Sequence, residues 1–342
     1  MAKQNIVVIG ASAGGLEVLK TLVKGLPKNF QASIFITWHI SPNGKSILPD
    51  ILDRAGPLKA AHAVNGEKIA AGRIYVAPSN HHMLIENDHI RLTKGPKENR
   101  FRPAIDPLFR SAAYTYESRV IGVILTGMLD DGTAGLWLVK DRGGIAVVQD
   151  PQDAQFSPMP ESALRAVEVD YCVPSAKLPD LLVRLTKEEA QEIPAISMKK
   201  DKRTEIEIRI AAEDNAFESG VMELGPLTPF TCPECQGVLL KLRDGKIVRY
   251  RCHTGHAFSA NTLLSAITES TEDILWSTIR SIEEGVMLLN EMGRDLAEVQ
   301  PRLAELYFKK ADEAEQRAKS IRQTIMKHEQ LSKEHLQQQV RT

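Results

Sequence analysis

No apolar run in this sequence approaches the ~20 residues needed to span a bilayer. The longest, such as Ile6–Ile9 and Val120–Leu125, are only long enough for strands. An excess of one charge is also missing: 43 Lys+Arg against 44 Asp+Glu leave a net charge of -1. No overall field therefore draws the chain to nucleic acid or acidic lipid. Aromatic residues make up only 5%, too few to suggest base-stacking platforms. Cysteine is scarce, and three of the four, Cys232, Cys235 and Cys252, crowd one stretch, which suits a metal site rather than a disulfide framework. The fourth, Cys172, follows the strand-like Tyr171 and is expected to be buried as a small apolar residue. No apolar leader segment with a cleavage site precedes Ile6, so a cytoplasmic chain is expected.

Hydrophobic residues reach 43% and charged residues 25% over 342 residues, enough for a sizeable core and for two or three folded units at ~100–200 residues each. Up to about Leu185, short apolar runs alternate with helical patterns, the signature of a mainly parallel sheet with helices on both faces. The runs are Ile6–Ile9, Ile34–Trp38, Arg73–Ala77, Val120–Thr126, Ile145–Gln149 and Tyr171–Val173. Leu16, Val18, Leu19, Leu22, Val23 and Leu26 fall at helical spacing between the first two, giving a βαβ unit. Met83–Ile85 and His89–Leu92 read as an inserted hairpin. From Glu188 to Pro229 the periodicity fades, and the charge run Met198–Arg203 reads as an exposed connector. After a Cys/His segment at Phe230–Phe258, two long helices are expected, from Asn261 to about Val299 and from Arg302 to about Gln339, broken near Pro301. Their apolar seam is read as Ile267, Ile274, Leu275, Ile282, Leu289, Met292 and Leu296, and a helical hairpin, a homodimerising coiled coil or a partner-docking surface all fit it.

Gly10-Ala11-Ser12-Ala13-Gly14 follows a strand and opens a helix, the setting of a nucleophile elbow. Small residues let the turn tighten and the hydroxyl stand clear. The same glycines would also suit a phosphate-cradling loop, although the spacing matches neither G-x-G-x-x-G nor the P-loop pattern. His39 lies directly after the second strand, and Asp130 and Asp131 follow the Val120 strand. Reacting groups in open parallel sheets gather beyond the carboxyl ends of strands, so a Ser, a His and an Asp at three such ends can converge. The serine needs a base and the imidazole needs a carboxylate. The residues alone do not choose between Asp130 and Asp131.

These stretches carry a resemblance. Ile9–Gly15, Trp38-His39, Tyr75–Pro78 with His82-Met83, Arg100–Pro103 with Asp106, and Ile124–Met128 through Asp131-Gly132 resemble, in order, the catalytic domain of the CheB-type chemotaxis protein-glutamate methylesterases. The resemblance covers residues 1–187. It implies a doubly wound, Rossmann-like sheet and a triad of Ser12, His39 and Asp131, and so selects Asp131. It further implies hydrolysis of glutamate γ-methyl esters on a chemoreceptor with release of methanol, related deamidation of glutamine, an oxyanion donor at the Met128 N–H, and no catalytic cofactor. Arg100 and Arg102 are candidates for steering acidic receptor helices, or for holding their loop through carboxylate pairs. Ala13 and Trp38 stand where many members carry Thr and Gln. Met1 lies a few residues from the first strand, so a receiver-less member is expected.

Cys232-Pro233-Glu234-Cys235, a gap of sixteen residues and Cys252-His253-Thr254-Gly255-His256 offer four ligands for a closed tetrahedral zinc site of structural type: Cys232, Cys235, Cys252 and His256. His253, adjacent to Cys252, has little room to reach the same ion. Val238–Leu242 and Ile247–Tyr250 flank Asp244-Gly245, so the segment reads as a zinc ribbon. Lys241, Arg243, Lys246, Arg249 and Arg251 crowd it, but docking to protein fits the thin aromatic content better than nucleic acid does. The expected divisions are thus 1–187, 188–229 as linker, 230–260 as ribbon and 261–342 as helical hairpin or coiled coil. Ribbon and hairpin resemble an extension of some receiver-less relatives and would bind a regulatory partner. A non-catalytic or weakly active signalling scaffold that docks proteins through ribbon and hairpin is the alternative to an esterase.

Overall fold

A computed structural model describes residues 5–39, 44, 46–190, 201–212, 215–329, 331 and 336. In chain order the α/β part consists of β1 (Ile6–Ala11), α1 (Gly15–Gly25), β2 (Ser33–Trp38), α2 (Leu48–Ala55), β3 (Lys59–His62), β4 (Arg73–Val76), β5 (His82–Glu86), β6 (His89–Thr93), α3 (Ile105–Tyr116), β7 (Val120–Ile124), α4 (Thr133–Asp141), β8 (Ile145–Gln149), α5 (Pro158–Ala166), β9 (Tyr171–Val173) and α6 (Leu178–Leu185). Seven strands form one sheet in the order β3-β4-β2-β1-β7-β8-β9, and every pairing in it is parallel.

Both faces of the sheet are covered, which is why its central strands read as near-continuous apolar runs. Val7, Ile9, Ile34 and Ile36 pack with Leu19 and Leu22 of α1, Leu52 of α2 and Leu182 of α6. Ile6, Val8 and Phe35 turn the other way, onto Leu108 and Phe109 of α3, Leu136 of α4 and Ala163 of α5. Because β2 and β7 flank β1 on opposite sides, the strand order reverses at β1, and the carboxyl end of β1 is the crevice where such sheets bind ligands. The inserted hairpin β5–β6 turns through Asn87 and Asp88, both at positive φ (46° and 62°). This conformation lets a two-residue turn follow the strand twist.

The remaining elements are α7 (Lys202–Ala212), β10 (Leu227–Thr231), β11 (Val238–Asp244), β12 (Ile247–Cys252), β13 (Ala257–Ser259), α8 (Ala260–Leu296) and α9 (Pro301–Ile325). β10 to β13 make a four-stranded antiparallel sheet in sequence order. This ribbon and the α/β part fall in one compact unit, Met1–Leu263, rather than in separate ones.

Four sequence expectations are corrected. The segment read as a connector includes α7, whose Ile206, Glu207 and Ile210 are buried; Glu207 is paired inside by Arg249, while Asp201, Lys202, Glu205 and Arg209 are exposed. Met198-Lys199-Lys200 of that run lie outside the described residues. Edge strand β3 was not expected, because Lys59-Ala60-Ala61-His62 carries no β-branched or aromatic signal. Cys172 is exposed, since it lies on the outermost strand β9.

The fourth correction concerns the unit Leu264–Thr342, in which α8 and α9 run side by side. Arg322 pairs with Glu283 at 2.7 Å and His328 Nε2 meets the Thr268 carbonyl at 3.0 Å. Ile279 of α8, 2% exposed, and Ala311, Ala314 and Ala318 of α9 are among the buried apolar residues along this pair's length. Ile274, 62% exposed, and Met292 do not belong to the seam. Of the residues read as the seam, Leu275, Ile282, Leu289 and Leu296 on α8 are half-buried, and α9 contributes the small buried residues Ala311, Ala314 and Ala318. The expected end of the second helix near Gln339 lies outside the described residues. No described helix is long and apolar enough to cross a membrane.

Candidate active site

Ser12 follows the last residue of β1. Its N–H donates to the Thr126 carbonyl (3.0 Å) and its carbonyl accepts from the indole N–H of Trp38 (2.8 Å). The turn is completed by Gly14 at φ 74°, just ahead of α1, a conformation a β-carbon would strain. Trp38 thus supplies a donor to the nucleophile turn.

His39 follows β2, and its main-chain N–H donates to Ala11 O (3.2 Å). Its ring lies flat on Phe101, with centroids 3.7 Å apart and planes at 7°. Nδ1 is 3.1 Å from Ser12 Oγ and Nε2 is 2.7 Å from Asp131 Oδ2. A carboxylate can only accept, so the proton resides on Nε2, and Nδ1 presents its lone pair to the serine hydroxyl.

Asp131, 2% exposed, lies in the loop between β7 and α4. Besides His39, it accepts from the N–H groups of Ile105 (2.7 Å), Gly132 (3.0 Å) and Asp106 (3.4 Å), and from Asn99 Nδ2 (2.8 Å). Ile105 and Asp106 open α3, so the carboxylate sits at that helix's positive end. Asp130 turns elsewhere: its Oδ1 accepts from Ser259 Oγ (2.6 Å) and Thr262 Oγ1 (3.0 Å). The structure therefore brings Ser12, His39 and Asp131 into one hydrogen-bonded chain and leaves Asp130 outside it.

The other expected residues divide. Met128 is 45% exposed in the loop that touches the nucleophile, since a β-carbon built on Gly127 would lie 2.8 Å from Ser12 Cβ. Arg102 is committed to its own loop, donating to Asn80 Oδ1 (2.9 Å) and to the carbonyls of Lys94 and Gly95 (both 2.8 Å); the expected carboxylate partner is replaced by these neutral acceptors. Arg100 lies at the tip of the same loop at φ 73°.

Sequence reasoning missed several supporting residues, although some lie inside the quoted motifs. Asn99 Nδ2 bridges Asp131 and Asp106 (2.8 and 2.9 Å). Asp106 in turn accepts from the Gly135 N–H at 2.7 Å. Burial, and then the negative charge of Asp131, raise its pKa to about 7. His82 is fully buried, with Nε2–H on Pro96 O (2.9 Å) and Nδ1 accepting from Ala104 N–H (3.3 Å). Burial pushes its pKa down and keeps it neutral. Glu98, also buried, is pushed up by desolvation but held at about 2 by Arg110 and Arg251. No local sequence signal announces these contacts, because they join side chains across separate turns and elements, Asn99 to Asp131 and Glu98 to Arg251 at the longest separations.

The ligand atoms of Cys232, Cys235, Cys252 and His256 all lie within 4.8 Å of one another. Cys235 Sγ and Cys252 Sγ are 3.7 Å apart, and His256 Nδ1 is 3.8 and 3.6 Å from the sulfurs of Cys232 and Cys252. A tetrahedron with metal–sulfur bonds of about 2.3 Å has edges of about 3.8 Å, so this donor set fits a metal ion of that geometry. His253 stands outside the group, its ring against Gly237.

A family model described as CheB methylesterase matches residues 7–182. A Leptospira interrogans protein is 43% identical over 180 residues, which make up 52% of this chain and 93% of that protein. The protein-glutamate methylesterase/protein-glutamine glutaminase of Thermotoga maritima is 37% identical over 184 residues, and the chain spans about half of that relative's length (54%). Among solved structures, the crystal structure of the Thermotoga maritima CheB methylesterase catalytic domain matches with a TM-score of 0.51 at 37% identity, covering 54% of this chain and 99% of that one.

Proposed function

Because the chain belongs to the CheB methylesterase family, we propose that its first 187 residues hydrolyse glutamate γ-methyl esters on methylated chemoreceptors or related signalling proteins. Deamidation of glutamine is the companion reaction. The observation that carries this reading is the relay from Ser12 Oγ through both ring nitrogens of His39 to Asp131.

Ser12 Oγ attacks the ester carbonyl while His39 Nδ1 takes its proton. The imidazolium is stabilised by the Asp131 carboxylate, and the main-chain N–H of Met128 holds the oxyanion. Collapse of the tetrahedral intermediate expels methoxide, which receives the proton from Nδ1 and leaves as methanol. Water, deprotonated by the same nitrogen, then cleaves the glutamyl ester of Ser12 and restores the free hydroxyl. A primary amide follows the same path with ammonia as the leaving group. Arg100, at its loop tip, steers acidic receptor helices, whereas Arg102 keeps the loop in shape.

The Cys/His group would hold a structural zinc: four protein ligands leave no open position for substrate. The reaction as derived uses none of its chemistry. The helical pair exposes Ile274, Met287 and Leu288, and we assign it to docking of a regulatory partner or a second copy, in the cytoplasm with the receptor's signalling portion.

The test is mass spectrometry of a methylated receptor incubated with the full chain. Glutamyl methyl esters converted to free glutamates, and glutamines converted at the same helical face, support the reading. Unchanged receptor peptides alongside hydrolysis of small esters would move the substrate elsewhere.

A further inference from the structure

The relay leans on a turn that does not belong to the central sheet. Glu98 and Phe101 face each other across a tight hairpin, with N–H to O distances of 2.9 and 3.2 Å. Its two central residues, Asn99 and Arg100, both have positive φ (49° and 73°). Non-glycine residues hold that conformation only where surrounding contacts enforce it. Phe101 carries the His39 ring and Asn99 donates to Asp131, so two members of the triad rest on this turn.

Most of those enforcing contacts come from the ribbon. Ala257 of β13 donates to Lys97 O (3.1 Å) and accepts from the Asn99 N–H (2.7 Å). Ser259 N–H donates to Asn99 Oδ1 (2.9 Å), which fixes the side-chain amide so that its NH2 points at the two aspartates. Arg251, 1% exposed side chain, donates to Glu98 Oε1 at 2.7 Å and ion-pairs with Glu207 of α7 at 2.9 Å. These anchors flank the Cys/His group directly: Arg251 precedes Cys252 and Ala257 follows His256. Arg251 also donates to the Gly255 carbonyl inside the knuckle (2.7 Å).

We propose that the ribbon braces the triad: Asn99 is a positioning residue for Asp131, and the Cys/His group, when it holds its metal, fixes Asn99 through β13 and Arg251. The inference rests on the esterase reading for its rate consequence and on contacts alone for its structural one. The metal touches no reacting atom. It closes the knuckle from Cys252 to His256, and the knuckle sets where Arg251 and Ala257 stand. Opening it removes the ladder on Asn99 and one of the two cations on Glu98 together, leaving Arg110 as the other. The turn then relaxes from its strained form, and Asp131 and the His39 ring lose their support. Misplacement of reacting groups on the scale of 1 Å costs about a hundredfold in rate.

The experiment uses the full chain, zinc-loaded and then stripped with a chelator, followed by amide hydrogen exchange and by kinetics of ester hydrolysis. Stripping is expected to speed exchange across 97–106 while β1 and β2 stay protected. The same step lowers kcat by about 10–100-fold with KM little changed, and zinc restores both. Asn99→Ala in the zinc-loaded chain is expected to reproduce the kcat loss, again without a KM change, while exchange in β11 and β12 is unaltered and only the Ser259 amide of β13, which loses its acceptor, exchanges faster. Unchanged exchange over 97–106 after zinc removal would overturn the brace, and so would an Asn99→Ala variant with wild-type kcat. A zinc-loaded chain that hydrolyses no ester counts against the esterase reading, while the exchange measurement still decides the brace.

Discussion

Replacing Asp131 with Asn changes one oxygen to an NH2 group in a site built wholly of donors. Oδ2 faces His39 Nε2 and Ile105 N–H, both at 2.7 Å, and Oδ1 faces Asn99 Nδ2 (2.8 Å) and Gly132 N–H (3.0 Å). Neither orientation of the new amide avoids setting a donor against donors. With its nitrogen toward His39, the imidazole must offer a lone pair at Nε2, and its proton moves to Nδ1, the atom that faces Ser12. The serine then has no base. With its nitrogen toward Asn99 and Gly132, the relay keeps its tautomer but loses the negative charge that stabilises the imidazolium. The wrong tautomer in such a triad lowers kcat by about 10⁴, or about 5 kcal/mol of transition-state stabilisation. Buried donors left unpaired cost the fold about 1–3 kcal/mol in addition. Methanol release should therefore be measured well below the melting transition, with circular dichroism confirming the fold. The expected result is a kcat lowered by about three to four orders of magnitude, with KM little changed because Asp131 does not touch the substrate. A folded Asp131→Asn enzyme with near wild-type kcat would refute the assigned relay.

Gly127→Ala would place a methyl against Met159 and 2.8 Å from Ser12 Cβ. Met159 can swing aside, but Ser12 is fixed by its backbone bonds, so the loop carrying Met128 must retreat; kcat should fall by about 10–100-fold, and an unchanged value would contradict the close approach. Asp106→Asn tests the buried carboxyl pair. In the folded chain Asp106 keeps its proton up to about pH 7, while in the unfolded chain it loses it near pH 4. The folded state thus binds the extra proton between those values, and this group costs the wild type stability as pH rises through that window. The stability of the Asn variant relative to wild type should improve by a few kcal/mol between pH 4 and pH 7.5; denaturant titrations giving a pH-independent difference would contradict the raised pKa.

The parts of the fold visible in the sequence were those fixed by local pattern. β1, β2 and β7 are buried on both faces and read as apolar runs, and their shared carboxyl ends were enough to bring Ser12, His39 and an Asp together on paper. Choosing Asp131 over Asp130 needed the family resemblance, because the two differ only in long-range partners: Ile105 and Asn99 for one, Ser259 and Thr262 for the other. Helix α7 was hidden for a related reason. Its buried Glu207 is paired by Arg249, more than forty positions away, and such pairing has no periodicity to detect. The Cys/His spacing announced its cluster directly, since two short knuckles suffice to fold it. The hairpin seam was legible only in part: Leu275, Ile282, Leu289 and Leu296 are half-buried, Ile267, Ile274 and Met292 are exposed, and the buried Ala311, Ala314 and Ala318 of α9 are too small to give a strong hydrophobic signal.

The central claim is that Ser12 is the nucleophile of an esterase. Its most direct test is methanol release from membranes bearing methylated chemoreceptors, comparing the zinc-loaded wild-type chain with Ser12→Ala. The account predicts steady release by the wild type and none above the spontaneous rate from Ser12→Ala, although the variant still folds and binds zinc. Equal release from the two proteins would contradict it.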